Sequence, residues 1–221
     1  MPQRLKQEVR ERLLAAAAAV FAEQGFEKAR LADVAEQAGT SSSNIYKYVA
    51  DKEALFCEIV TPALAGRLLR LLRARVRELR SIGNWLQADA SGSERARALL
   101  SFWIDQRLVV LILLRGADGT RYAHVRNLMI REMVRLASGY RTDKGGEQAL
   151  TPLMGFMLER TFTRTLDTIA DTLSEYSDAP SIQSAISLFW RYQLAGLQSL
   201  LDPDALGGDR QAFTGPDQSS E

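Results

Sequence analysis

Ser42, Ser43, Asn44 and Lys47 put three short polar side chains and one cation within six residues, while Ile45 and Val49 in the same stretch are apolar. Short hydroxyls and amides exchange hydrogen bonds with base edges, and an ammonium pairs with phosphate, all without being buried in the protein. The chemistry such a set can do is nucleic-acid recognition. Ser41, ahead of it, is the expected N-cap, its hydroxyl taking a backbone N–H of the first turn. Upstream, Leu31, Val34, Ala35 and Ala38 recur at helical spacing and stop at Gly39, where a residue without Cβ can turn the chain. Two short helices meeting at Ala38-Gly39-Thr40 have the layout of a helix-turn-helix. The first helix braces the DNA backbone and the second enters the major groove.

Catalytic chemistry finds no comparable pattern. Serines are plentiful, yet there is no Gly-x-Ser-x-Gly elbow, phosphate loop or dinucleotide fingerprint. His124 is the one histidine and Cys57 the one cysteine, poor material for a metal site or a nucleophile-base pair. The expectation is a non-enzyme with no catalytic residues, no metal and no cofactor. Cys57 reads as a packed thiol, which suits a cytoplasmic setting.

From Arg12 to Phe56 the chain resembles the amino-terminal domain of the TetR family of bacterial transcriptional regulators. Arg12, Leu14, Ala16, Ala17, Phe21, Gly25, Phe26, Val34, Ala35, Ala38, Gly39, Ser41, Tyr46, Tyr48, Lys52, Glu53 and Leu55 stand at matching offsets. The resemblance covers about a fifth of the chain, and beyond it only length and helical content agree. It implies that Tyr46, Tyr48 and Lys52 contact the DNA backbone, Lys52 from a helix start where the dipole favours anions. Arg30 replaces a family hydroxyl and would offer a cation to phosphate instead. Ser42, Ser43, Asn44 and Lys47 are then the residues facing the bases, and Ser41 completes the DNA-binding set. From periodicity alone, Tyr46 could equally pack beneath the turn. Departures from the family pattern are Ala29 and Arg30 in place of threonine and a second hydroxyl, Ser43 for an early glycine, and Val49 for phenylalanine.

The stretch from residue 1 to 56 carries as many acidic as basic residues, so affinity for DNA must come from where the cations stand and from pairing two heads. Arg70, Arg73, Arg77 and Arg80 share one face of a later helix, a pattern typical of solvated or internally paired arginines.

With 221 residues, 46% of them hydrophobic, the chain can bury a sizeable core. The fold expected is all-α: a three-helix head over 1–51, a helical ligand-binding and dimerisation domain over 52–201 joined through a long fourth helix, and a disordered tail over 202–221. No signal peptide or membrane span is apparent; the alanine run from Ala15 to Ala19 is closely bracketed by charge. The fourth helix should start at the N-cap Asp51 and run to about Arg80, with Pro62 kinking or breaking it. That interruption is either a tolerated bend or a hinge that relays ligand state to the head. A loop should cover 82–93, with further helices near 94–115, divided around Asp105, then 120–140, 148–176 and 179–201.

In the last helix, Ile182, Ile186, Phe189, Gln193 and Leu197 form a stripe that Ala185, Leu188, Tyr192 and Gly196 widen. With Leu150, Met154 and Met157 before it, this could complete a four-helix bundle about a two-fold axis, or bury within one protomer. The family resemblance favours the homodimer, with its recognition helices spaced by about one DNA turn, ~34 Å, or more. Phe102, Trp103, Met129, Met133 and Phe156, with Arg107, His124 and Arg160 as polar anchors, are the candidate pocket for a small-molecule effector. The resemblance therefore implies a dimeric repressor that binds a palindromic double-stranded operator and is released by a small molecule. An activator, or a ligand sensor without sequence-specific DNA binding, is the alternative.

Overall fold

A computed structural model describes residues 2–82, 85, 92–143 and 150–201, with side-chain detail from residue 6; the expected tail over 202–221 and the Lys144-Gly145-Gly146 boundary lie outside the described residues. Every regular element among the described residues is helical.

Three helices build the head: α1 (Pro2–Gln24), α2 (Leu31–Gln37) and α3 (Ser42–Ile45). Leu13, Ala17, Val20 and Phe21 of α1 pack on Val34, Ala35 and Ile45, all buried. α4 (Lys52–Ile59) closes this core from below, its Phe56 ring 5.5 Å from Phe21 and 5.0 Å from Phe26, both edge-on. Asp51 caps it as expected, its carboxylate accepting the Ala54 N–H at 2.7 Å.

The long fourth helix is in fact two helices. After α4 the chain extends at Val60, and α5 (Pro62–Ser81) begins with Thr61 as N-cap, its hydroxyl accepting the Leu64 N–H at 3.3 Å. Pro62 stands at the first helical position, where a missing N–H costs no hydrogen bond. The proline therefore begins a new helix and does not kink an old one. α5 packs against α6 (Glu94–Asp105) and α8 (Val125–Asp143), and α8 packs on α9 (Pro152–Glu175), which pairs with α10 (Ala179–Leu201). Between them, α7 (Arg107–Leu111) runs into a π-helical turn, Ile112–Gly116. The division around Asp105 is present, as are the expected limits of α10. α8 starts five residues later than periodicity suggests. Residues 117–124 form hydrogen-bonded turns around Gly119, whose φ is 78°, and Tyr122 is buried there.

Candidate nucleic-acid interface

α2 ends in a complete Schellman motif. The Thr40 N–H donates to the Ala35 carbonyl at 2.9 Å and the Gly39 N–H to Glu36 at 3.0 Å, with Gly39 at φ 67°. That left-handed residue sets the angle at which α3 leaves. α3 is a short helix, continued by turn bonds from Lys47 to Asn44 and from Tyr48 and Val49 to Ile45. Ile45 and Val49 anchor it in the core, which leaves Ser41, Ser42, Ser43, Tyr46 and Lys47 exposed on the opposite side. Tyr46 is 63% exposed, so its ring does not pack beneath the turn. Tyr48 is half-buried against the core.

Two caps differ from expectation. Ser41 holds the N-cap position of α3 in extended backbone, but its hydroxyl takes no backbone N–H and lies 3.2 Å from the Ser43 hydroxyl. Asn44 is likewise engaged locally, donating to the Thr40 hydroxyl at 3.0 Å. At the start of α2, Arg30 has no acceptor to offer, and the Asp33 carboxylate instead reaches back to the Arg30 N–H at 3.3 Å. The Arg30 side chain remains exposed beside Lys28.

Lys52 is the main revision among the expected DNA-backbone contacts. Its ammonium donates to the carbonyls of Phe26 at 2.7 Å, Ala29 at 3.1 Å and Glu27 at 3.2 Å, and lies 4.4 Å from the Phe26 ring centre. An ammonium has three protons, and three carbonyls use them. The side chain clamps the loop from α1 to α2, and a phosphate would have to displace one of those acceptors.

The head is tied to the rest of the molecule through the same loop. The Phe26 N–H donates to the Gly116 carbonyl at 2.8 Å. A Cβ on Gly116 would stand 2.7 Å from the Phe21 carbonyl oxygen, so only glycine permits this approach of the π-helical turn to α1. Tyr122 adds a ring contact to Phe56, centroids 6.3 Å apart, and Arg121 donates to the Cys57 sulfur at 3.2 Å.

The arginine-rich face of α5 is internally paired where it can be. Arg73 bonds Glu132 at 2.9 Å and Arg80 holds Asp143 through two N–H donors, while Arg70 and Arg77 are exposed. The Arg135 and Arg73 guanidiniums keep the Glu132 carboxyl below its ordinary range, and Arg80 does the same for Asp143.

The expected pocket does not assemble. Phe102, Trp103 and Met129 are ordinary core, Arg107 is engaged with the Leu173 carbonyl at 2.6 Å, and His124, Phe156 and Arg160 are exposed, with Arg160 lying over the Phe156 ring. Of the eight, only Met133 lines the apolar cavity beneath α5. That cavity, about 50 Å³, lies among α5, α6, α8, α9 and α10, bordered by Leu72, Arg75, Val76, Leu79, Arg80, Trp85, Leu99, Leu136, Ala137, Phe162, Trp190, Leu194 and Leu197. Trp85 had no periodic signal, because it sits in a connection and not in a helical repeat.

The expected dimer stripe also divides. Met154, Ile182, Ile186, Gln193 and Leu197 are buried within the protomer, and Leu150 and Phe189 are partly buried against the same core. Of that set only Met157 is exposed. Among the described residues, the large apolar side chains exposed on the last two helices are Leu153, Phe156 and Met157 on α9 and Leu188 and Tyr192 on α10, the last 76% exposed. The narrower stripe covers the protomer's own core, and part of the flank that seemed merely to widen it faces out. Among the described residues no helix is long and apolar enough to cross a membrane.

Residues 13–59 match the family described as "Bacterial regulatory proteins, tetR family". The chain is 41% identical over 54 residues to the uncharacterized HTH-type transcriptional regulator YdgC of Bacillus subtilis (strain 168), a match covering 24% of this chain and 28% of that regulator. It thus spans less than a third of the curated relative it matches. Among solved structures, a TetR family transcriptional regulator from Chloroflexus aurantiacus J-10-FL is similar at a TM-score of 0.49, with 16% identity over 91% of this chain and 93% of the other. The transcriptional regulator FadR from Bacillus subtilis, solved in complex with stearoyl-CoA, is similar at 0.41, with 17% identity over 83% and 96%.

Proposed function

We propose that this chain, which belongs to the TetR family of bacterial regulators, is a homodimeric transcriptional repressor that holds a palindromic operator and releases it when a small molecule occupies the carboxy-terminal helices. The observation that carries this reading is the exposed polar side of α3. Ser42, Ser43, Tyr46 and Lys47 project from a helix pinned at Ile45 and Val49 and aimed by the Gly39 turn. Ser42, Ser43 and Lys47 are assigned to base edges, and Tyr46, Arg30 and Lys28 to phosphates. Lys52 acts on DNA only indirectly, by holding the loop that carries Lys28 and Arg30.

A lone head has few exposed cations, and a dimer doubles their number on one duplex. Leu153, Phe156, Met157, Leu188 and Tyr192 offer a surface for that dimer, since large exposed apolar side chains gathered on neighbouring helices mark an interaction site. Release follows if ligand favours a head spacing that no longer fits the operator; a ligand with equal affinity for both spacings would change nothing. The path available is short: α5 lines the cavity and meets α4 at Thr61-Pro62, and Gly116 touches α1 directly. The test is sedimentation of the protein with a palindromic duplex carrying its selected site. Two protomers per duplex support the reading, and one protomer per duplex contradicts it.

A further inference from the structure

We infer that the cavity beneath α5 takes a small, uncharged, apolar molecule no larger than a single ring; this rests on the ligand-responsive reading above and specifies its chemistry. The walls are hydrocarbon and aromatic, with Leu99, Met133, Ala137, Phe162 and Trp190 among them. The charged and polar groups at its edge are engaged elsewhere, and Arg80 among them holds Asp143 through two N–H donors. The Trp85 indole N–H donates to the Leu79 carbonyl at 2.6 Å. Arg75, the one charged side chain buried in the described core, donates from Nη1 to Glu78 at 2.7 Å and Ser93 at 3.3 Å. The Ser93 hydroxyl also donates to Glu78, at 2.8 Å. Burial pushes the Glu78 carboxyl up, but its bonds from Arg75 and Ser93 outweigh this and hold it below the ordinary range, so it stays an anion paired with Arg75. A ligand carboxylate or ammonium entering here would give up its hydration and meet groups already engaged with each other. An uncharged hydrocarbon loses nothing of that kind and gains contact with every wall.

Size sets an upper limit on the occupant. One water needs roughly 10–15 Å³ of such space, and the cavity offers about 50 Å³. Walls this apolar do not hold water well, and the cavity lined by Leu, Ile and Phe that takes up benzene measures about 150 Å³, so a ring enters here only as the walls give way. Met133 is an unbranched thioether that can shift to fit a ring.

Toluene and benzoate separate the question of charge from that of shape. With the full-length protein, toluene should bind saturably, raise the unfolding temperature and alter tryptophan emission, while benzoate should need at least a hundredfold higher concentration. Ala137→Leu, which fills the cavity, should weaken toluene binding at least tenfold. Leu99→Ala, which enlarges it, should bring naphthalene binding up to the strength of toluene binding in the parent, and it decides the matter if Ala137→Leu does not fold. Benzoate binding as tightly as toluene, no saturable toluene binding, or binding untouched by both substitutions would overturn the inference. Operator affinity measured in parallel keeps the two proposals apart. Toluene seated in the cavity with unchanged DNA affinity upholds the ligand class and defeats its role as effector. Release from DNA by a charged molecule, with toluene ignored, defeats the class and upholds the regulator.

Discussion

The Lys52 ammonium stands 2.7 Å from the Phe26 carbonyl, and the N–H of that same Phe26 donates to the Gly116 carbonyl at 2.8 Å. One residue thus joins the start of α4, the loop beneath the recognition unit and the π-helical turn of the other helical body. A cation that family resemblance assigns to DNA is, in this chain, bonded to the loop that meets the other helical body.

Lys52→Ala should therefore act mainly on stability. Losing the ammonium leaves three carbonyls to find other donors, and the expected cost is about 1–3 kcal/mol, read as a lower unfolding temperature or denaturant midpoint. The salt slope of DNA binding should stay where it is. A slope reduced by about 1 with stability unchanged would restore Lys52 to the phosphates.

Lys47→Ala should lower operator affinity by about 1–3 kcal/mol and relax preference at one base position, with no loss of stability, because the side chain is exposed on the polar side of α3. Binding-site selection with the variant checks it; an unaltered preference and affinity would remove Lys47 from the interface.

Gly116→Ala would place a methyl 2.7 Å from the Phe21 carbonyl oxygen, a contact that only backbone movement can relieve. Overpacking of this kind costs about 1–3 kcal/mol. If the seam transmits ligand state, inducer concentrations that release the parent protein from DNA should fail to release the variant. A variant with a normal inducer response would show that the signal passes through α4 and α5 alone.

Leu188→Glu together with Tyr192→Glu would place charge on the exposed side of α10. Sedimentation should then show a folded monomer with weak operator affinity. Unchanged dimerisation would move the interface elsewhere. The same pair at Ile182 and Ile186 should unfold the protomer, since those side chains are fully buried within it.

Acid should loosen the body, and neutral pH should not. The Glu132 and Glu78 carboxyls both lie below their ordinary value of 4.5 in the folded chain. Their contribution is therefore complete above that value and is lost as pH falls through the depressed folded values. Glu132→Gln should flatten the fall in unfolding temperature below about pH 4.5; an unchanged slope would show that its bonds to Arg73 and Arg135 contribute nothing measurable.

The head was legible because its signals are local. The spacing of Leu31, Val34, Ala35 and Ala38, the stop at Gly39 and the cap at Asp51 each depend on a few neighbouring residues, and the structure contains all three. Pro62 was readable as an interruption but not as a helix start, since that depends on whether Thr61 can cap, which one helical period cannot reveal. The cavity and the exposed patch were illegible for another reason. Ile186 and Leu188 look alike in a hydrophobic stripe, and only the path of α9 decides which is covered. Trp85 reaches the cavity from a connection, and Lys52 finds its three carbonyls more than 20 residues upstream; neither distance leaves a periodic trace.

Selection of binding sites from random duplex DNA by the purified protein, followed by affinity at several salt concentrations, tests the central claim most directly. The account predicts enrichment of a palindrome whose half-sites are spaced by a helical turn, with an affinity that falls steeply with salt. A folded protein that enriches no sequence, and binds DNA only weakly and without preference, would contradict it and leave a helical ligand sensor in its place.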